Sequence, residues 1–391
     1  MPIEYLFGAL AALLPVATLS GWFFGRRERK RNALSSRQLE FQAYYAGLNH
    51  LLEDRPDKAI DVFLRVMEAE SDTVETHFAL ANLFRRRGEV ERAIRIHENL
   101  VARSALSNEQ RNLAALELGL DYLRSGLLDR AETVFVELLN NGVHEQQALE
   151  NLIDIYQQEQ DWQKALEYSE KLETLSRRDF SAQKAQFVCE QAEILLDAGR
   201  DEEAAAKILS AINIDSRCVR ASLIAARLAI KQDNFDLAIH HLNRIEYQDQ
   251  DFLTEAVPLL AECYRKLGRE VELEACLERL RGLHPGADSD LALIDLLWKR
   301  GETDRAMACL SAELSERPTL QALDRLVRYL DIEASGNASP GLRMLKQSTA
   351  RLVEQRAAYL CSQCGFRGRS LHWQCPGCRS WSSIKQVSIG D

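Results

Sequence analysis

The chain has 391 residues, room for two or three ordinary domains or for one extended array of small units. Its 46% hydrophobic and 28% charged residues leave enough apolar surface to offset chain entropy, which excludes wholesale disorder. A net charge of -10 excludes general nucleic-acid binding, because phosphate contacts need a basic footprint.

From Tyr5 to Gly25 the chain carries no charged side chain, in the run "YLFGALAALLPVATLSGWFFG". At about 1.5 Å per residue this helix reaches about 31 Å, the thickness of a bilayer's hydrocarbon core. A cleaved signal peptide would carry its positive charge before the apolar run; here "RRERKR" follows it. Trp22, Phe23 and Phe24 stand at the junction like an interfacial belt, with Arg26 and Arg27 next to them. The expectation is a transmembrane helix over 1–25 and a basic juxtamembrane segment over 26–38. The N-terminus then faces outward and the bulk of the chain is cytoplasmic, beside the lipid bilayer. A cytoplasmic body keeps thiols reduced and argues against a disulfide framework for the nine cysteines.

The middle of the chain repeats itself. "RRRGEVERAIRIHENL", "LRSGLLDRAETVFVELL", "LDAGRDEEAAAKIL" and "WKRGETDRAMACL" each read as a helix end, a tight turn and a new helix. The turn is led by Gly88, Gly126, Gly199, Gly268 and Gly301, with Gln160 and Asp233 at the same place in two units. Five residues on stands a small side chain, at Ala93, Ala131, Ala165, Ala204, Ala238 and Ala306, with Ala59 in front and Leu273 as the exception. The intervals between these positions are 34, 38, 34, 39, 34, 35 and 33 residues. A second set of mostly small residues twelve before them, including Ala81, Gly119, Ala192 and Ala226, marks where paired helices cross closely.

These residues resemble the tetratricopeptide repeat over about 39–318, with 319–356 as terminal and capping helices. The implied fold is all-α, a superhelical solenoid whose concave groove suits protein segments. In that register Phe41, Tyr44, Phe78, Asn82 and Arg85 are candidate partner-binding residues, each as compatible with packing against the neighbouring unit. His97 and Ser169, at a position usually large and apolar, are expected to loosen packing locally. Cys189, Cys218, Cys263, Cys276 and Cys309 have no paired spacing and read as small buried hydrophobes. His240 and His241 read as a solvated helix face.

The tail holds the chemistry. In "CSQCGFRGRSLHWQCPGC", Cys361 and Cys364 form one pair and Cys375 and Cys378 a second, two knuckles that close a tetrahedral four-sulfur site. The tail is expected to dock on the array. "YLCSQCGF" and "CPGC" resemble rubredoxin and related zinc ribbons over about 357–385, within an expected metal-binding domain at 357–391, which implies one bound ion, iron or zinc, between which spacing does not choose. His372, three residues before Cys375, is near enough to replace one cysteine but reads rather as part of the loop beside Trp373. Four thiolates leave no open coordination position for water or substrate, so the expectation is no enzyme. With iron, membrane-tethered rubredoxin-type electron transfer is the alternative.

The order of span, repeats and ribbon resembles the lipopolysaccharide assembly protein B family of Gram-negative bacteria along the whole chain. That resemblance implies a single-pass inner-membrane adaptor, N-terminus periplasmic, which regulates lipopolysaccharide synthesis. It implies that the adaptor promotes proteolysis of the lipid A committed-step deacetylase by a membrane-anchored AAA+ metalloprotease. Two further partners follow from it, lipopolysaccharide assembly protein A and an inner-membrane lipopolysaccharide sensor.

Overall fold

The computed structural model describes residues 49, 58–60, 62, 74–283, 289–333, 339–355 and 358–386. The expected span and juxtamembrane segment lie outside them. Among the described residues, no helix is long and apolar enough to cross a membrane.

The chain divides into two compact units, 1–159 and 160–391. The first contains α1 (Val74–Arg86), α2 (Val90–Ala102), α3 (Asn108–Ser125), α4 (Leu128–Asn140) and α5 (Glu145–Glu159). Its front core joins Leu80, Ala81, Leu83, Phe84 and Ala93 to Ala59 and Ile60. Ser107 starts α3 with a capping box, its hydroxyl accepting from the Gln110 amide while the Gln110 side chain accepts from the Ser107 backbone.

The second unit continues with α6 (Trp162–Ser176), α7 (Ser181–Asp197), α8 (Asp201–Ile214), α9 (Val219–Lys231), α10 (Phe235–Asn243) and the short α11 (Ile245–Gln248). A 3-10 turn, Gln250–Phe252, leads into α12 (Leu253–Lys266), α13 (Glu270–Leu283), α14 (Ser289–Lys299), α15 (Thr303–Glu316), α16 (Leu320–Glu333) and α17 (Pro340–Gln355). A three-stranded antiparallel sheet closes the unit, in the order β2 (Arg367–Gly368), β1 (Tyr359–Cys361), β3 (Ile384–Gln386). Pro318 follows the end of α15, where its ring and missing N–H forbid continuation.

The repeat's turn positions have one backbone cause. Gly88, Gly126, Gly199, Gly268 and Gly301 all have φ between 68° and 81°, and Gln160 and Asp233 adopt 58° and 55°. The residue after the turn donates its N–H to the carbonyl five residues back, as in Glu89 to Phe84, Leu127 to Tyr122, Arg200 to Leu195 and Asn234 to Ala229. This left-handed closure satisfies helix-end carbonyls and reverses the chain, and glycine reaches it without a Cβ penalty. The small positions five residues on are fully buried from Ala59 to Ala306, and Leu273 is buried in its unit too. At Gly119 an added Cβ would meet the Phe135 ring at 2.7 Å, so only glycine lets α3 and α4 approach this closely.

His97 and Ser169 do not loosen their units. His97 Nδ1 hydrogen-bonds Asp121 at 2.6 Å, and the Ser169 hydroxyl donates to the Ala165 carbonyl at 2.7 Å, so each side chain has a hydrogen-bond partner where a large apolar group was expected, although His97 Nε2 is buried without one. The terminal cap is less complete than the sequence suggests. Helix α17 packs along α16, with the Thr349 hydroxyl donating to Asp324, yet Met344 is 71% exposed and Leu345 and Leu352 are also exposed.

Candidate metal centre

Strand β1 ends at Cys361, and the backbone turns at once. The Gly365 N–H donates to the Cys361 carbonyl at 3.0 Å with φ of 77°, while the Cys361 N–H donates to Phe366 at 2.8 Å. The second knuckle repeats this geometry, the Arg379 N–H donating to the Cys375 carbonyl at 2.8 Å with φ of 59°. Pro376 and Gly377 fill the space between Cys375 and Cys378. A Cβ on Gly377 would stand 3.3 Å from Cys364 Sγ, so the second knuckle passes the first closely.

The two turns bring the four sulfurs together, all within 4.8 Å of one another, with Cys361 to Cys378 at 3.7 Å and Cys364 to Cys375 at 3.6 Å. An ion about 2.3 Å from each sulfur needs tetrahedron edges of about 3.8 Å, so the donor set fits one ion. A tetrahedral four-sulfur set suits zinc or a single iron alike. His372 is not a ligand here; its Nε2 pairs with the Ser370 hydroxyl at 3.3 Å and its ring lies against Phe366.

Groups around the sulfurs favour thiolates. The Gln363 N–H donates to Cys361 Sγ at 3.4 Å, the Ser383 hydroxyl lies 3.4 Å from the same sulfur, and the Ser380 hydroxyl lies 3.3 Å from Cys378 Sγ. Burial opposes ionisation of Cys361, but the Ser383, Cys364 and Gln363 hydrogen bonds outweigh it and hold the thiol down to about 6. At Cys364 the Phe366 N–H favours the thiolate. Burial and the other three sulfurs outweigh it without a cation, pushing that thiol up to about 12. A metal ion supplies the missing positive charge and allows all four to ionise.

The ribbon is docked on helices far back in the sequence. Trp373 stacks on Phe252, with ring centroids 5.3 Å apart, and Trp381 packs edge-on against both Trp162 and Phe187. Arg220, on α9 and only 2% exposed, lies over the faces of Trp373 and Trp381 and pairs with Glu190 at 2.8 Å and Glu193 at 2.6 Å on α7. At the far edge Lys385 pairs with Asp249 at 3.0 Å and with Asp251, while the Tyr359 hydroxyl donates to Glu255. Aromatic pairs each add about 0.5–1.5 kcal/mol beyond area burial, so several together hold a domain of this size firmly. The expected docking is present. Its position was not foreseen: the contacts fall on α6, α7, α9 and the 249–255 region.

The sequence-predicted groove residues divide. Phe41 and Tyr44, like the interfacial Trp22, Arg26 and Arg27, lie outside the described residues. Phe78 rests against the His97 ring with centroids 5.8 Å apart. Arg85 pairs with Asp121 at 2.9 Å, with Glu117, and with the Asn82 side-chain oxygen at 2.6 Å. Arg85 and Asn82 therefore join α1 to α3 through an ion-pair network, one of the two roles weighed for them. His240 is exposed as expected, but His241 is partly buried, and that burial lowers its pKa. A feature without sequence signal is the approach of Cys189 and Cys218, sulfurs 3.9 Å apart in the core beneath the ribbon.

Comparison with known proteins covers the same two parts. Residues 359–386 match the family of rubredoxin metal binding domains, and residues 76–111 and 116–176 match two tetratricopeptide-repeat families. The chain is 35% identical to lipopolysaccharide assembly protein B of Escherichia coli K12, over 97% of this chain and 97% of that one. It is 32% identical to the Haemophilus influenzae protein of the same name, over 99% of this chain and 98% of that one. A solved tetratricopeptide-repeat chain from Cytophaga hutchinsonii superposes with a TM-score of 0.43 at 13% identity, covering 64% of this chain and 99% of that one. The rubredoxin likeness spans the ribbon alone, whereas the first two likenesses run nearly end to end, so a dedicated electron carrier is not the favoured reading.

Proposed function

The chain belongs to the lipopolysaccharide assembly protein B family, and from that premise we propose that it is a non-enzymatic, membrane-tethered adaptor that restrains lipopolysaccharide synthesis. In this reading residues 1–25 hold the chain in the bacterial inner membrane, and the helical repeats grip client segments on the cytoplasmic side. The client is the lipid A committed-step deacetylase, handed to a membrane-anchored AAA+ metalloprotease. Lipopolysaccharide assembly protein A and an inner-membrane lipopolysaccharide sensor tune the activity. Tethering supplies the mechanism, because confining a client-binding surface beside the protease raises their effective concentration without any new contact.

The observation that carries the adaptor reading is the docked ribbon. Its four sulfurs would hold one metal ion with no position left for substrate, and the ring contacts with Phe252, Trp162 and Phe187 would make that ion a clamp on the helical array. The ion's chemistry is then structural: it fixes the two knuckles and so the faces of Trp373 and Trp381.

The test compares deacetylase levels in cells relying on the full-length chain, on a chain lacking residues 1–25, or on C361S/C364S. Normal turnover is expected only with the first. A soluble truncated chain that restores turnover fully would overturn the tethered-adaptor reading.

A further inference from the structure

Two cysteines outside the metal centre meet in the core of the second unit. Cys189 lies midway along α7 and Cys218 is the residue on which α9 starts, so they come from the first helices of successive pairs. Their sulfurs are 3.9 Å apart, walled by Ala185, Ala221 and Ile224. The two positions differ chemically. Cys218 receives a hydrogen bond from Cys189 and the Ala221 N–H of the first turn of α9, which together hold its thiol below the ordinary range against the pull of burial. Cys189, donor to Cys218 and enclosed by apolar groups, is pushed the other way. The Gln186 amide reaches both this pair and the ribbon, 3.6 Å from Cys218 Sγ and 3.1 Å from the Ser382 hydroxyl.

We propose that Cys189 and Cys218 are an oxidisable dithiol, a modification site separate from the metal centre, which hydrogen peroxide converts to a disulfide. The Cys218 thiolate attacks one peroxide oxygen; the O–O bond breaks, hydroxide leaves and takes up a proton, and Cys218 becomes a sulfenic acid. Cys189 sulfur then attacks Cys218 sulfur; the S–O bond breaks, the S–S bond forms, and the departing hydroxide leaves as water with the Cys189 proton. In sum two thiols and one peroxide give one disulfide and two waters, the sulfurs losing the two electrons that the peroxide gains. The sulfurs approach to about 2.05 Å, a closure that spans one gap between neighbouring helices. With Cys189 at 0% and Cys218 at 3% exposure, a bulky oxidant does not reach the sulfurs.

The experiment uses the full-length, metal-loaded chain treated with equimolar peroxide, then denatured, alkylated and mapped by peptide mass. The expected result is loss of alkylation at both residues with a Cys189–Cys218 linked peptide, while oxidised glutathione leaves both alkylatable. In Cys189→Ser, dimedone labels Cys218; in Cys218→Ser, Cys189 stays a thiol. The proposal is overturned if both wild-type residues remain alkylatable at a dose that oxidises added free cysteine, or if either is found linked to a ribbon cysteine instead. The wild-type map decides this even where a serine variant folds poorly.

Discussion

Gly365 and Arg379 hold equivalent places in the two knuckles, four residues after the first cysteine of each pair, and both have positive φ. At Gly365 a Cβ would meet nothing within 4 Å, so the cost of Gly365→Ala is backbone strain alone, about 1–2 kcal/mol in the metal-loaded ribbon, readable as a lower chelator midpoint. Cys361 supplies a pH signature. Its thiol lies near 9.0 in the unfolded chain and is held down to about 6 in the fold. A depressed value gives stability that is full above 9.0 and lost as pH falls through about 6. In the metal-free chain the ultraviolet thiolate absorbance of Cys361, read as the difference from Cys361→Ser, is therefore expected to persist at neutral pH and to drop near pH 6. A drop complete before neutrality would contradict the hydrogen-bonded thiolate. The metal ligands were legible in the sequence because their partners are close along the chain. Cys189 and Cys218 were not, since they are 29 residues apart and only helix stacking brings them together.

At the scale of elements, spacing predicted the turns well, and the reason is physical: one closure geometry recurs, and glycine is the residue that adopts it freely. Gln160 and Asp233 obey the same geometry without glycine, so only register revealed them. Gly119→Ala is expected to cost about 1–3 kcal/mol, because α3 must move away from the Phe135 ring. Adding Phe135→Leu should recover part of that loss in a urea-unfolding cycle; strictly additive losses would refute the contact. Arg220→Met leaves Glu190 and Glu193 without their shared cation and removes the charge between two indoles. Both carboxylates keep some contact with water, so the expected loss is about 2 kcal/mol, below that of breaking a wholly buried pair. Its marker is a change in tryptophan fluorescence from Trp373 and Trp381. His97 and Ser169 show what periodicity misreads: a polar residue in an apolar slot is tolerated when a neighbouring helix, as Asp121 for His97, or its own preceding turn, as Ala165 for Ser169, supplies a hydrogen bond.

Over the second unit, the ribbon returns to helices that precede it by more than a hundred residues, from Tyr359 to Glu255 and from Ser382 to Gln186. Sequence could say that the tail would dock, because a solenoid needs a cap over its last exposed apolar face. It could not say where, because no pattern along the chain encodes a contact of that separation. For the proposed adaptor the consequence is a claim about the second unit: an ion in the four-sulfur site would fix the ribbon, and the ribbon would brace the helices it rests on. Hydrogen exchange of the full-length protein, with the metal present and after its removal by chelator, measures this directly. The account predicts faster exchange on metal removal both in the ribbon and in its footing around Phe187, Arg220 and Phe252. Faster exchange in the ribbon with unchanged protection at those three sites would contradict it.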